Sequence, residues 1–474
     1  MLLNIRRIHE WTTDQLLASP TLGTYQTCGV YIPFLQNWRR SFCTVTCHPK
    51  NLEHILNTKF HNYPKGPTWQ NTFGDVLGNQ GISCAKGEEW ISLRKIVVPE
   101  LTKSKLGPSL HCWVNPSIKN DLLPILDKAS KHNISIDLQK LMICFGTDNI
   151  FGIALGKKMK TLLNPEDPIA LAMDTIFKFA FRRFFYPNIL WKFMKFFCIG
   201  SEGSLKKSIQ ILNNTITEAQ EERNNRNKDE TFDDDLLWTF MKKVQVNGHI
   251  LPSSAIMGTV LDILLAGRDS VATSASWFFW LVMNNPRVEE KIVHEIITVL
   301  KKTRGKDKDT RMDEINSLVY LHAMLLETLR LYPAVPKIVR YAICDDILPD
   351  GTYVPAGSDI ILSLYSVGRM KSVWGEDCIE FKPERWLSTD EKRIERHEDG
   401  YKFVAFNGGS RICIAKYLTY LEMKSVASAI LLRYELSHVP GHQVTSKLSF
   451  TIAMNNGLKV NLKRRDLNDF DVIN

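Results

Sequence analysis

The chain has 474 residues, of which 44% are hydrophobic, and this is enough apolar material for a large buried core. The formal net charge of +9 comes from 60 basic and 51 acidic residues without a clustered basic stripe, which argues against a nucleic-acid-binding protein. Ten cysteines without close pairing argue against a disulfide framework and favour a reducing compartment. No linker, repeat or low-complexity tract divides the sequence, so we predict one domain over residues 1–474.

No segment has both the length and the apolarity of a membrane-spanning helix. The longest apolar run is Leu261–Met283. It contains three charged residues, Asp262, Arg268 and Asp269, which would be costly in lipid. Another stretch, Phe179–Phe197, is rich in aromatic and basic residues. Its aromatic side chains either lie in a bilayer interface or pack in the core, and the sequence favours neither alternative.

Helical periodicity dominates the chain. Apolar residues recur at helical spacing in Ile136–Leu155, Leu205–Glu222, Asp234–Val244, Ser253–Asn284, Val288–Leu300, Ser317–Leu331 and Leu418–Leu432. Strand-like patterns are confined to Tyr353–Leu364 and Leu458–Leu462. A polar run, Glu221–Asp235, is predicted to be a surface loop. The sequence therefore predicts a mainly α fold with small β-sheets.

The predicted helix Ser253–Asn284 carries small and polar residues near its middle. About 33 helical residues span roughly 50 Å, enough to cross a large domain. Ala266 and Gly267 are small enough to let a flat cofactor approach the helix closely. Asp269 and Ser270 form an acid–alcohol pair that can deliver protons. The alternative is a mid-helix glycine that costs about 1 kcal/mol, beside solvated charges.

Glu327 and Arg330 are three residues apart in the predicted helix Ser317–Leu331, so they share one of its faces. The residues around them are apolar. We therefore expect a buried pair that needs a third partner. The alternative, a solvated surface ion pair, would contribute almost nothing to stability.

The segment Phe406–Lys416 places Cys413 in a glycine-rich loop just before a predicted helix. A thiolate needs backbone N–H groups and a positive helix end near its sulfur to stay deprotonated. Gly409 permits a tight turn, and Arg411 offers a cation to an anionic group. These are the requirements of a thiolate-ligated haem. The alternative is an inert buried cysteine, which is the commoner role of a lone cysteine.

Together these motifs resemble the cytochrome P-450 monooxygenases. Four loop residues match the haem-binding signature of that family: Phe406, Gly409, Arg411 and Cys413. Ser410 stands where close relatives usually carry proline, and Ala415 replaces the last glycine. The sequence is most similar to the plant fatty-acid omega-hydroxylase group, which also contains alkane hydroxylases. The stretches that carry this similarity include Tyr332–Pro336, Asp345–Gly351 and Gly368–Asp377.

The resemblance implies a set of site residues around heme b. Cys413 is the implied iron ligand, and Asp269 and Ser270 are the implied catalytic residues. The implied cofactor contacts are Trp90, Arg94, Ala266, Gly267, Arg340, Phe406, Gly409, Arg411 and Cys413. The resemblance also implies that Arg385 completes a structural network with Glu327 and Arg330.

The implied activity is hydroxylation of long-chain fatty acids or related aliphatic chains, at the omega position, with dioxygen. The implied electron source is NADPH through a partner flavoprotein reductase. Relatives lie on the cytosolic face of the endoplasmic reticulum membrane behind an N-terminal anchor helix. This chain starts where they have passed that anchor, so we expect either a truncated, soluble chain or peripheral attachment to a membrane surface.

Family position alone suggests that an apolar channel is lined by Phe73, Val76, Leu77, Ala266 and Val335. Arg268 is interpreted as a channel-mouth residue or a solvated charge. A competing hypothesis is a haem-binding protein of the same fold that has lost oxygenation. It rests on the missing anchor, on Ser270 in place of threonine, and on the departures at Ser410 and Ala415. A haem-thiolate isomerase fits poorly, because such enzymes do not need Asp269 and Ser270.

Overall fold

The computed structural model describes residues 7–28, 42–225, 235–246, 252–303, 311–395 and 400–466. The chain forms two compact units. Unit 1 consists of Met1–Asn71, Ala323–Cys413 and Ser446–Ala453, and unit 2 consists of Thr72–His322, Ile414–Thr445 and Met454–Asn474. One catalytic domain over residues 1–474 stays a prediction.

Helices dominate the described part of the chain, which confirms the predicted mainly α fold. In chain order they are α1 Ile8–Leu17, α2 Pro49–Glu53, α3 Gly66–Phe73, α4 Gly87–Val97, α5 Gly107–Ser109, α6 Leu123–Lys131, α7 Leu138–Leu155, α8 Pro168–Arg182, α9 Asn188–Phe196, α10 Gly200–Asn224, α11 Leu236–Val246, α12 Ser253–Met283, α13 Pro286–Thr303, α14 Met312–Ser317, α15 Val319–Leu331, α16 Leu364–Val367, α17 Lys371–Trp374 and α18 Lys416–Leu431.

The strands form three small sheets. They are β1 Thr24–Cys28, β2 Phe42–Thr46, β3 Ile136–Asp137, β4 Lys337–Tyr341, β5 Asp346–Ile347, β6 Tyr353–Val354, β7 Asp359–Ser363, β8 Tyr434–His438 and β9 Lys459–Arg464. Unit 1 holds a four-stranded sheet in the order β1-β2-β7-β4 and the pair β5-β6, and unit 2 holds β3-β9-β8. In the four-stranded sheet β2 and β7 are parallel, with Val45 opposite Ile361, and the other pairs are antiparallel.

Unit 1 has its core against the four-stranded sheet. Val45, Ile360 and Leu362 of the sheet pack with Leu52 and Leu56, and all five are almost fully buried. Each such side chain contributes about 1.5–3 kcal/mol relative to an exposed one. This core fixes the turn His54–Thr58, and the loop that contains Cys413 contacts this turn.

Unit 2 is organised around the close packing of α7 on α12. A Cβ at Gly267 would lie 2.6 Å from Ile150 Cδ1, and one at Gly146 would lie 3.0 Å from the Arg268 carbonyl oxygen. Glycine at these two positions lets the axes of α7 and α12 approach each other closely. α10, α11, α13 and α18 also pack on α12, which is therefore buried over most of its length.

Two predicted segments are divided in the structure. The helix Ser317–Leu331 breaks at Leu318, because the Glu295 carboxylate accepts hydrogen bonds from the amides of residues 319, 320 and 321 and so caps a new helix, α15. The strand Tyr353–Leu364 divides into β6 and β7 around a turn in which Gly357 has φ of +84°. The predicted loop Glu221–Asp235 lies mostly outside the described residues, and its first residues belong to α10.

Candidate active site

Cys413 lies at the end of a closed loop in unit 1. Its backbone N–H donates a 2.8 Å hydrogen bond to the carbonyl of Phe406, which joins the two ends of the predicted signature. The cysteine is exposed. Arg411 lies in a 3-10 turn, Gly409–Arg411, directly before it. The loop therefore presents a sulfur atom that is accessible to a ligand and fixed through its own backbone.

Gly408 and Gly409 shape this loop, because both pack on the turn His54–Thr58. Gly409 has φ of +59°, and a Cβ there would lie 2.0 Å from the Leu56 carbonyl oxygen. Asn407 also has positive φ, and its Oδ1 accepts a 2.9 Å hydrogen bond from the Gly408 amide. Glycine at position 409 is thus required both by backbone conformation and by close approach to Leu56.

Arg340 is a buried cation whose charge is only partly satisfied. It is 2% exposed, and its Nη2 atom has no hydrogen-bond partner among the described residues. Its Nη1 donates to the Val339 carbonyl at 3.1 Å. Burial lowers the pKa of Arg340 to about 10. An anionic substituent would satisfy this guanidinium, so Arg340 and the accessible Cys413 sulfur both fit a haem with its propionates.

Glu327, Arg330 and Arg385 form the predicted network. Arg330 holds both carboxylate oxygens of Glu327 at 2.7 Å, and Arg385 Nε lies 2.8 Å from Glu327 Oε1. Two further donors, which the sequence spacing does not indicate, bind the same carboxylate. Trp386 Nε1 donates a 2.9 Å hydrogen bond to Glu327 Oε2, and the Lys382 amide donates one of 2.9 Å to Oε1. The side chains of Glu327 and Arg330 are fully buried, so the surface-pair alternative is wrong.

In unit 2, α12 has an accessible stretch near its middle. Ala266 is exposed, and Gly267, Asp269 and Ser270 are half-buried, whereas the residues on either side, 258–265 and 271–279, are buried. Ser270 Oγ donates a 2.6 Å hydrogen bond to the Ala266 carbonyl, the back-bonding common for helical hydroxyls. Ala266, Asp269 and Ser270 thus lie within one accessible stretch of α12, which we call its opening. Their roles toward a cofactor stay predictions.

Gly267 has a packing role that its position in the sequence does not indicate. The space where its side chain would stand is occupied by Ile150 of α7. The absence of a side chain is therefore required by helix packing on that face. Ala266, which is exposed, is the residue of the pair whose side chain remains accessible.

Arg268 is buried, which excludes one of its two sequence interpretations. It is 1% exposed, so a solvated charge is wrong. Its guanidinium pairs with the carboxylates of Asp174 and Asp269, and these neighbouring acids raise its pKa against the effect of burial. A cation already neutralised by two acids is also a poor mouth residue for a substrate carboxylate. No local spacing signals the pairing with Asp174, which lies 94 residues away.

Trp90 and Arg94 share a face of α4. The Arg94 guanidinium lies 5.4 Å from the centroid of the Trp90 ring, within the range of a cation–π contact. Trp90 is buried and Arg94 is half-buried. Of the predicted channel residues in unit 2, Phe73 and Val76 are buried, and Phe73 packs against Phe184 with ring centroids 5.5 Å apart. Their contact with substrate stays a prediction.

An exposed apolar surface surrounds α9, and we call it the aromatic surface. Its members are Phe185, Tyr186, Ile189, Leu190, Phe193, Phe196, Phe197 and Ile199, with exposures from 40% to 81%. Trp191 is buried instead and stacks on Arg183, with the guanidinium 4.7 Å from the ring centroid. Lys195 pairs with Asp75 at 2.7 Å. The sequence left surface and core as equal alternatives for this segment, and the structure favours the surface.

Among the described residues, no helix combines the length and apolarity required to cross a bilayer.

The described part of unit 2 also contains a surface cleft of about 740 Å³. It is lined by Asp127, Lys128, Ser130, Lys131, His132, Asn133, Leu462, Lys463 and Arg464. None of the predicted site residues lines it. Its lining is mainly basic, and several of these cations lie at the C-terminal end of α6, where they complement the helix dipole.

Comparison with known proteins shows which protein family this chain is similar to. The cytochrome P-450 family model matches residues 33–463. Similar proteins include cytochrome P-450 86B1 of Arabidopsis thaliana, 36% identical over 98% of this chain and 83% of that protein. Alkane hydroxylase MAH1 of the same plant is 35% identical over 98% of this chain and 91% of that protein. Cytochrome P-450 94A1 of Vicia sativa is 32% identical over 98% and 88%, respectively.

Proposed function

The chain belongs to the cytochrome P-450 family of monooxygenases, and we propose that it hydroxylates long-chain fatty acids or related aliphatic chains. The omega carbon is the proposed position. Electrons would come from NADPH through a flavoprotein reductase. The observation that carries the proposal is the accessible Cys413 sulfur in a loop closed by the Phe406 carbonyl, because that geometry suits a thiolate ligand.

Haem is the cofactor that this family implies, and several residues would hold it. Cys413 would bind the iron, and Arg340 would pair with a propionate, since its Nη2 is buried without a partner. Arg411, Trp90 and Arg94 are proposed as further contacts. When bound, the haem supplies the oxidising power for attack on an unactivated C–H bond.

The protein groups would bind and orient substrate and move protons. Asp269 and Ser270 lie at the accessible opening of α12, where a carboxylate and a hydroxyl can exchange protons with solvent. Ser270 is held through its 2.6 Å bond to the Ala266 carbonyl, so its hydroxyl has a defined position. This retained pair favours an oxygenase over the competing haem-binding protein without activity.

The substrate class rests on relatives rather than on a described pocket. One similar protein is named as an alkane hydroxylase. The sequence also resembles the plant fatty-acid omega-hydroxylase group, and both substrate classes present a long apolar chain. Arg268 is already neutralised by two acids, so a fatty-acid carboxylate would require another cation.

We further propose attachment to the cytosolic face of the endoplasmic reticulum membrane through the aromatic surface. Phe193, Phe196 and Phe197 are more than half exposed on one short amphipathic helix and its end. Lys192 supplies an exposed cation beside them. Aromatic and basic residues in this arrangement favour the interface of an anionic bilayer.

The test begins with the purified, haem-loaded protein. Reduction under carbon monoxide should give the red-shifted Soret band of a thiolate complex, and C413A should lose it. A dodecanoic to octadecanoic acid series and an equal-length alkane should then be titrated for a spin-state change. Product formation with a supplied reductase and NADPH would separate an oxygenase from an inactive haem protein. A haem bound with unchanged spectrum in C413A would contradict the ligand assignment.

A further inference from the structure

Arg268 connects a solvent-facing acid with the acid proposed to take part in catalysis. Its side chain is 2% exposed, whereas the Asp174 side chain on α8 is 59% exposed and that of Asp269 is 19% exposed. The guanidinium therefore lies between one carboxylate in water and one at the opening of α12. Both acids act on the same cation.

The guanidinium is fixed from several sides. Its Nε lies 2.9 Å from Asp269 Oδ1, an ion pair without the geometry of a hydrogen bond. Its Nη2 binds the Asp174 carboxylate, and its Nη1 donates to the Ala170 carbonyl at 3.2 Å. The Phe177 ring lies 5.8 Å away. Four contacts leave the cation little freedom to move away from either acid.

We propose that Arg268 is a positioning residue for Asp269 and that Asp174 is its outer partner. The surface acid then sets how strongly the guanidinium attracts the inner carboxylate. The consequence for catalysis rests on the proposed function, because it requires that Asp269 exchange protons during turnover.

The charges of Asp174 and Arg268 should change the protonation of Asp269 in opposite directions. When one guanidinium binds two carboxylates, the carboxylates also repel each other. This repulsion offsets part of the attraction of the guanidinium for each carboxylate. Loss of the Asp174 charge should therefore stabilise ionised Asp269, and loss of the Arg268 charge should favour its protonated form. Cys144 of α7 is a further titratable group that acts on Arg268. Its substitution by serine provides a check on that contribution.

The test uses the haem-loaded protein and a readout that needs no turnover. The infrared carboxyl band of Asp269, identified by its loss in D269N, is titrated with pH. D174N should move its midpoint to lower pH, and R268M should move it to higher pH. E166Q is the matched control, since Glu166 is also an exposed acid paired with a cation, Lys140 at 3.5 Å. It should leave the midpoint unchanged.

The catalytic readout follows from the same shift. In D174N, the alkaline limb of the product yield per NADPH should move to lower pH by the same amount as the infrared midpoint, with KM unchanged. A midpoint that is equal in wild type, D174N and R268M would overturn the proposal even if hydroxylation is normal. If no fatty acid or alkane is hydroxylated, the proposed function fails, but the infrared shifts still decide the role of Arg268.

Discussion

Glu327 in unit 1 and Glu422 in unit 2 are both buried glutamates on helices, but their surroundings are opposite. Glu327 is 0% exposed and accepts hydrogen bonds from two arginines, a tryptophan and a backbone amide. Glu422 on α18 is 2% exposed, and its Oε1 atom has no hydrogen-bond partner among the described residues. Burial raises the pKa of Glu422 to about 8.

The difference shows that partners, rather than burial, decide what a buried acid does. Removing a paired charge strands its partners, whereas removing an unpaired acid relieves a desolvation cost. The two glutamates should therefore respond to substitution with opposite sign near neutral pH.

The largest effect is expected for E327A. This change leaves Arg330 and Arg385 buried without their carboxylate, and we expect a loss of about 3–5 kcal/mol in the free energy of unfolding. Urea denaturation followed by circular dichroism measures it. The control is E376Q, whose side chain is 87% exposed and pairs with exposed Lys371, and it should change stability by less than about 0.5 kcal/mol. Equal losses in the two variants would show that the buried partners of Glu327 contribute no more to stability than an exposed ion pair does.

E422Q should act in the opposite direction. Because the pKa of Glu422 is about 8 in the folded protein and its ordinary value is 4.5, the folded protein retains a proton that the unfolded chain releases. Stability from this group is therefore complete below about pH 4.5 and is lost as pH rises to about 8. We expect E422Q to be more stable than wild type at pH 7, on the order of 2–3 kcal/mol, and equal to it near pH 4.5.

Thermal unfolding across pH 4.5–8 measures this difference. E218Q, at an exposed position on α10, is the matched control and should follow the wild-type curve. A Glu422 variant whose stability parallels wild type at every pH would show that the carboxyl has a partner in solution.

How much of this was predictable from sequence differs between the two glutamates. Glu327 and Arg330 are three residues apart, and the Pro-Glu-Arg segment supplies Arg385, so local spacing and family order predicted the network. Glu422 lies in an apolar helix pattern without any paired charge, and nothing in its spacing marks it. The fold class and the cysteine loop were predictable for the same reason as the network, because each is carried by short-range patterns.

Long-range partners were not predictable. Arg268 pairs with Asp174, and Glu295 caps α15, through contacts between elements that are far apart in sequence. A single sequence gives residue types and spacing within one element, whereas such contacts depend on which helix faces meet. The break at Leu318 was missed for this reason, since its cause lies on α13.

Arg340 is a buried cation that, like Glu422, has a polar atom without a hydrogen-bond partner among the described residues. In haem-free protein R340M should raise the free energy of unfolding by about 2 kcal/mol, because it removes a desolvated charge whose Nη2 has no partner. In haem-loaded protein the same change should speed haem transfer to apomyoglobin, because a propionate would lose its cation. R369M is the comparison variant, since that guanidinium is stacked 3.5 Å over the Tyr365 ring. It should destabilise both forms.

The smallest effect is expected for K382A, although Lys382 belongs to the Glu327 network. Its backbone amide, not its side chain, donates to Glu327 Oε1, and the amide remains in alanine. Among the described residues the side chain pairs with Asp377, at 3.1 Å, and the lysine side chain is about half exposed. Such pairs contribute roughly 0–1 kcal/mol, so K382A should lower the denaturation midpoint far less than E327A. A loss comparable to that of E327A would mean that the network depends on surface charge as well as on the buried carboxylate, and the contrast between Glu327 and Glu422 would no longer rest on partners alone.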